Sequence, residues 1–279
     1  QNLQGKYNNK GKVEAQGEIP VSSQETKIDH PLTVTLDQLA LNLKELYQGG
    51  VSGNLLVTGS ALNPMIGGKL QLADGQVLLA ESTKTTDGNS KIDVSGVKQV
   101  KQETPKADYT AARFKDLQLQ LGKNVQITRP LILSFRATGT LNVNGSFKEP
   151  IPEGTIRLMA GSVNLFTTRF NLARGYKHKA IFRANQPRDP ELDIQLFAKV
   201  LDVIQNSDLN KPNITGLAAL ETIRVDARVQ GLASKLDETL ELTSSPARSE
   251  TEIVALLGGG LVDTEGRGND TTLGLINIA

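Results

Sequence analysis

Two stretches of this 279-residue chain superimpose without a gap, and that repeat limits the fold more than any single motif does. Gly53, Gly59, Pro64, Gly68 and Gly75 punctuate the first stretch, and Gly139, Gly145, Pro150, Gly154 and Gly161 each stand 86 positions later. The apolar residues keep step: Leu55 with Leu141, Val57 with Val143, Leu70 with Ile156, Leu72 with Leu158, Val77 with Val163, Leu79 with Leu165. A fainter third copy places Gly231 opposite Gly145 and Val229 opposite Val143, with Leu236 where Pro150 predicts a proline. Gly11 and Gly17 repeat the spacing of Gly53 and Gly59 near the start. The repeat is expected to run through the whole chain, making residues 1–279 a single elongated domain.

Between the Gly and Pro punctuation, apolar and polar residues alternate with period two, as in strands wet on one face and greasy on the other. Asp116-Leu117-Gln118-Leu119-Gln120-Leu121 and Arg224-Val225-Asp226-Ala227-Arg228-Val229-Gln230 are the clearest cases. Asp74-Gly75 sits where a tight hairpin is expected; Asn144-Gly145 is the other pair that tolerates positive φ. Sequential hairpins make an antiparallel meander. At a dozen residues per strand and turn, the chain would hold on the order of 20 strands and run for roughly 90 Å. So wide an open sheet must twist and curl, closing its apolar face on itself or on something else apolar.

Two segments interrupt the alternation. Residues 81–107 are rich in Lys, Thr, Gln, Asp and Gly and read as a polar loop, as does the shorter run 206–215. The period changes near the end, where Ser249 and Glu252 form a capping box ahead of Ile253, Val254, Leu256 and Leu257, and glycines follow from Gly258. One short helix is expected over 249–257. Apolar bulk is mostly Leu, Val and Ile, with 4% aromatic residues and no Trp, which suits a long sheet with a thin, repetitive interior.

Lys and Arg total 31 against 30 Asp and Glu, a balance that argues against nucleic acid as a partner. No Cys and only two His exclude thiol nucleophiles and an ordinary structural zinc site. Phosphate-cradling loops and nucleophile elbows are missing as well, so the chain is read as no enzyme and as needing no cofactor. No apolar run is long enough to span a bilayer. The chain opens on Gln1-Asn2-Leu3-Gln4, and both ends look cut from something longer.

The strand-Gly-strand pattern with Pro64 and Gly68, Pro152-Glu153-Gly154-Thr155-Ile156-Arg157-Leu158 leading to Gly161-Ser162-Val163-Asn164-Leu165-Phe166, and the Asp189-Pro190-Glu191-Leu192-Asp193 corner resemble the C-terminal domain of the TamB family. Leu240-Glu241-Leu242-Thr243-Ser244-Ser245-Pro246, followed by the capped helix and Gly258, adds the most specific match. The resemblance covers roughly residues 10 to 260, and its flavour is that of cyanobacterial members and their chloroplast-envelope relatives. It implies an all-β fold: a twisted antiparallel sheet curled into a repeating groove with an apolar concave interior, as in AsmA-like proteins. It further implies a periplasmic protein anchored in the inner membrane through a segment absent here, or the equivalent in the chloroplast envelope intermembrane space. Its expected cargo is phospholipid acyl chains passing between inner and outer membranes. The family's second role is assisting outer-membrane barrel insertion or protein translocation with a barrel partner of TamA or BamA type. Neither the anchor nor the family's final strands can be read in this sequence.

The candidate groove lining is the alternating apolar set: Leu55, Val57, Leu70, Leu72, Val77, Leu79, Leu117, Leu119, Leu121, Leu133, Phe135, Leu141, Val143, Ile156, Leu158, Val163, Leu165, Phe182, Leu192, Ile194, Leu196, Val225 and Val229. Alternation alone favours a sealed sandwich core; the repeat and the resemblance reverse that in favour of a trough that takes acyl chains. Arg169, Arg174, Lys177, Lys179, Arg183 and Arg188 follow one another with no acidic residue between them. They read as a solvated strand face, or as a basic rim for lipid phosphates or an acidic partner. His30 and His178 read as surface residues. Asp189, Glu191 and Asp193 read as charges on the wet face of a strand rather than as paired catalytic carboxylates.

Overall fold

A computed structural model describes residues 2–7, 11–20, 30–43, 46–79, 112–204 and 219–258. The polar segments at 81–107 and 206–215 lie outside the described residues. One sheet takes up thirteen strands: β1 (Asn2–Tyr7), β2 (Gly11–Gln16), β3 (Leu32–Leu43), β4 (Tyr47–Gly59), β5 (Pro64–Leu78), β6 (Arg113–Arg129), β7 (Leu133–Ser146), β8 (Pro150–Leu165), β9 (Thr168–Leu172), β10 (Lys179–Arg183), β11 (Gln186–Ile204), β12 (Ala219–Leu232) and β13 (Leu240–Ser245). A 3-10 turn (Ala233–Lys235) and α1 (Leu236–Thr239) join β12 to β13, and α2 (Glu250–Leu256) follows. The sheet path runs in sequence order, with β9 and β10 both seated between β8 and β11. The all-β fold expected from the alternation, curled into the groove that the resemblance implies, is the fold observed.

The repeat holds at the level of register along most of each hairpin. On β4–β5 the pairs are Gly53 with Leu70, Leu55 with Gly68, Val57 with Ile66 and Gly59 with Pro64. On β7–β8 they are Gly139 with Ile156, Leu141 with Gly154, Val143 with Pro152 and Gly145 with Pro150. Both hairpins turn in the same way: Ser60 Oγ accepts from the Asn63 N–H at 3.2 Å, and Ser146 Oγ from the Glu149 N–H at 3.0 Å. Gly53 and Gly139 both sit at φ +148, and an added Cβ would meet a neighbouring-strand carbonyl oxygen, of Lys69 at 2.1 Å or Thr155 at 2.4 Å. Only glycine lets the strands approach so closely there.

Those glycines lie inside strands, which is why the described residues hold thirteen strands, fewer than a turn at every such glycine would give. Strands of 12 to 19 residues use up the chain between true turns. Among the described residues the twelve strands on the main path give eleven spacings of ~4.8 Å, or roughly 53 Å along the curve. Asp74-Gly75 is likewise no hairpin. Asp74 (φ +47) lies within β5 at a bulge facing both neighbours, and its carboxylate accepts from Asn124 Nδ2 across the β5–β6 seam at 2.9 Å. Asn144-Gly145 is the pair that leads into a turn.

The meander also breaks once, because β5 and β6 pair parallel. Parallel neighbours need a crossover of a dozen residues or more, which the segment between them is long enough to provide. Triplet β3–β4–β5 therefore recurs in the same orientation as β6–β7–β8 and, beyond the broken β9–β10 strand, as β11–β12–β13. Equivalent turns consequently fall on the same edge of the sheet.

Candidate functional site

Inner-face residues of β6 to β13 pack into one apolar cluster. Leu117, Leu121, Phe135, Leu141, Val143, Ile156, Leu158, Val163, Leu165, Ile194, Leu196, Val225 and Val229 are buried, and Leu119, Leu133, Phe182 and Leu192 pack against them partly buried. β7 and β13 are five places apart on the sheet path, yet Leu133 and Leu240 line one cavity of about 100 Å³. A flat sheet would hold them roughly 24 Å apart, so this part of the sheet curls until β13 faces β7. Every residue lining that cavity is apolar, and Leu165, Leu192, Ile194 and Val229 are among them. A drug-sized pocket is typically about 300–1,000 Å³, so in this section the walls nearly fill the groove with their own side chains.

The first copy of the repeat is different. Leu72 is buried, but Leu55, Val57, Leu70 and Val77 are only half-buried. Their counterparts Leu141, Val143, Ile156 and Val163 are all buried. The same residues in the same register thus lie under cover in the second copy and accessible in the first. Leu79 lies just past the end of β5 and is 42% exposed.

At one edge the groove is capped. Ser249 and Glu252 form the capping box of α2: Ser249 Oγ accepts from the Glu252 N–H, and the Glu252 carboxylate accepts from the Ser249 N–H at 2.8 Å and its Oγ–H at 2.7 Å. Those bonds, the hydroxyl's first, hold the Glu252 carboxyl below the ordinary carboxylate range. Ile253 and Leu257, four apart on one helix face, are buried in the groove cluster. The Leu257 carbonyl accepts from the Thr167 N–H at 3.3 Å and from the hydroxyls of Thr167 at 3.0 Å and Thr168 at 3.2 Å. The helix that follows β13 therefore spans the groove mouth to the β8–β9 turn. Arg248 secures its approach through Glu221 (3.1 Å) and Asp202 (3.4 Å).

The basic run divides on the outer face. Arg183 pairs with Glu191 at 2.7 Å, Lys179 with Asp193 at 3.4 Å and Arg188 with Glu149 at 3.6 Å, while Arg169 Nε donates to Ser162 Oγ at 2.9 Å. Arg174 and Lys177 are exposed and have no ion pair among the described residues. The acidic corner is also occupied: Asp189 accepts from the Ser234 N–H at 2.8 Å and hydroxyl at 2.6 Å, and Asp193 additionally accepts from the Tyr176 hydroxyl. That bond, and then burial, raises the Tyr176 phenol above its ordinary range. Three carboxylates with three separate sets of partners do not form a catalytic pair. Among the described residues no group of three or more His, Asp or Glu is placed to hold a metal, and no helix is long and apolar enough to cross a membrane.

His178 is the clearest departure from the sequence reading. It is 4% exposed rather than a surface residue, because strand β9–β10 is interrupted at 173–178 and the imidazole fills the gap in the ladder. Nδ1 accepts from the Gln195 N–H at 3.2 Å, which leaves Nε2 to carry the proton and donate to the Ala173 carbonyl at 2.8 Å. The sequence reading also omitted Val125, Phe170, Leu172, Ala198, Ile223 and Ala227, all buried in the cluster or beside it. Phe170 and Leu172 do alternate with Arg169 and Asn171, a pattern too short to stand out within the basic run.

A family model of the TamB C-terminal domain matches residues 1–279. The chain belongs to the TamB family. Two curated relatives agree. Protein SUBSTANDARD STARCH GRAIN 4, chloroplastic, of Oryza sativa subsp. japonica is 26% identical over an alignment that covers 70% of this chain and 11% of the rice protein. Protein TIC236, chloroplastic, of Arabidopsis thaliana is 23% identical over 95% of this chain and 15% of its own length. This TamB domain therefore spans only a small part of the length of the relatives it matches.

Proposed function

We propose that this TamB domain is a non-enzymatic conduit, one section of an intermembrane bridge whose apolar groove shelters phospholipid acyl chains between two membranes of an envelope. One observation carries the reading: equivalent apolar positions are accessible in the first copy of the repeat and buried in the second. An acyl chain lying along β3 to β5 would cover the half-buried set. Each methylene withdrawn from water contributes about 0.8 kcal/mol, so a dozen or more hold a chain with no specific polar contact. Successive rungs differ little, which lets the chain slide. The chloroplastic relatives support an envelope setting; the periplasm with an inner-membrane anchor is the bacterial equivalent.

Native mass spectrometry of the purified chain, followed by lipid extraction, tests this. Phospholipid that is retained by the wild type and lost from a well-folded Leu55→Asp, Leu70→Asp double variant is the expected result. A folded wild type that carries no lipid and takes none from vesicles would remove the proposal.

A second reading, as a translocation or assembly component working with an outer-membrane barrel partner of TamA or BamA type, draws on the sheet ends. Among the described residues β1 and β13 each have one unpaired edge. Such an edge is a template for an added strand. Crosslinks from β13 to a nascent barrel strand, in a variant with no lipid in the groove, would favour this role over the first.

A further inference from the structure

The interruption of β9–β10 does more than displace a loop. Residues 173–178 leave the sheet on its outer face and enclose a pouch of about 1240 Å³ between themselves, β8 and β11. His178 mends the ladder beneath it, so the pouch floor is ordered backbone held by two hydrogen bonds. Thr155, Arg157 and Met159 alternate outward from β8 on one side, and Met159 is 60% exposed.

Charge in the pouch is one-sided. Arg157, Arg174, Lys177 and Lys179 line it against a single carboxylate, Asp193. That carboxylate is already taken by Lys179 at 3.4 Å and by the Tyr176 hydroxyl. Arg157, Arg174 and Lys177 are exposed and have no carboxylate partner among the described residues, so about three positive charges converge on one concave surface in a chain whose net charge is only +1. Arginine presents a planar fork that grips phosphate oxygens in pairs, and a concave, one-signed surface concentrates counter-ions. A single phosphate would occupy a small part of the volume.

We infer that this outer-face pouch is an anion site for a phosphorylated ligand, held by Arg157, Arg174 and Lys177 and separate from the apolar groove. The shared chemistry is a phosphate ester or anhydride, borne either by a lipid headgroup at a membrane surface or by a soluble molecule.

The test uses the full 279-residue chain with two probes, inorganic pyrophosphate by titration calorimetry and vesicles of phosphatidylcholine with or without phosphatidylglycerol by flotation. Two triple variants are compared: R157Q/R174Q/K177Q in the pouch, and K69Q/K115Q/K123Q, which removes the same charge at exposed strand positions on β5 and β6. All six residues are exposed, so both variants should keep the wild-type thermal melt. Wild type should bind at least one probe, with affinity falling about tenfold or more in the pouch variant and hardly at all in the other. Loss of pyrophosphate binding assigns a soluble phosphorylated ligand; loss confined to phosphatidylglycerol vesicles assigns a headgroup. Binding of neither probe, or equal losses in both variants, overturns the site. Groove lipid content should be unchanged in both variants, which keeps this result distinct from the transport reading.

Discussion

Replacing His178 by alanine removes the imidazole that bridges the broken strand, and its cost can be worked from the bonds it makes. The Gln195 N–H and the Ala173 carbonyl each lose a partner. A buried backbone group left unpaired costs about 1–3 kcal/mol. The pouch above admits water to part of the gap, which holds the two losses together to about 2–3 kcal/mol, near the low end of that range for each, and loss of the packed imidazole adds about 1 kcal/mol. Destabilisation of about 3–4 kcal/mol is expected overall. In urea, with a slope near the upper end of the usual ~1–3 kcal/mol/M for a chain of this length, the midpoint should fall by about 1 M with the slope unchanged. His178→Gln supplies an amide oxygen to accept and an amide N–H to donate, and should recover at least half of the loss. The bridging account is refuted if the alanine variant unfolds within about 0.2 M of wild type, or if glutamine is as damaging as alanine.

Gly53→Ala and Gly139→Ala should destabilise by similar amounts, at least about 2 kcal/mol each, since both combine positive φ with a carbonyl oxygen in the Cβ position; Gly175→Ala, at φ +83 with open space around it, should cost about 1 kcal/mol, as thermal melts would show. Because the folded-state carboxyl of Glu252 is held below its unfolded value, its contribution to α2 is complete above pH ~4.5 and is lost as pH falls through the lower folded value. Glu252→Gln should flatten that acid-side dependence in amide exchange of Ile253 and Leu257. Leu257→Ala should cost about 2–4 kcal/mol and release the groove mouth, read as faster proteolysis between β13 and α2 with the sheet intact.

Much of the fold was legible because the repeat is carried by residues whose roles are backbone roles. Gly53 and Gly139 cannot be exchanged without moving a strand, so their spacing survives in the sequence as plainly as the register survives in the structure. The same glycines blur the strand boundaries in the sequence, since a glycine required for close approach inside a strand looks the same as one required by a turn. Alternation found Leu117, Leu119 and Leu121 but stopped short of Val125, because β6 extrudes residues around Asn124 (φ +55) before Val125 returns to the inner face. Ala198 and Ala227 are buried but too small to mark a hydrophobic run. The difference between Leu70 and Ile156 was not legible at all: their local patterns match, and only the wall opposite decides which one is covered. The pouch was half legible, as an unbalanced basic run whose partners come from β8 and β11.

The central claim is that the inner face of the first repeat copy, and not merely the protein surface, receives acyl chains. A photoreactive benzophenone side chain placed at Leu70, and in a second protein at the adjacent outward-facing Lys69, reads the two faces of one strand directly. Irradiation in the presence of phospholipid vesicles, followed by mass spectrometry of the intact chain, should give phospholipid adducts at position 70 and few at 69. Equal adducts at both positions, or none at 70 in a folded protein, would contradict the groove.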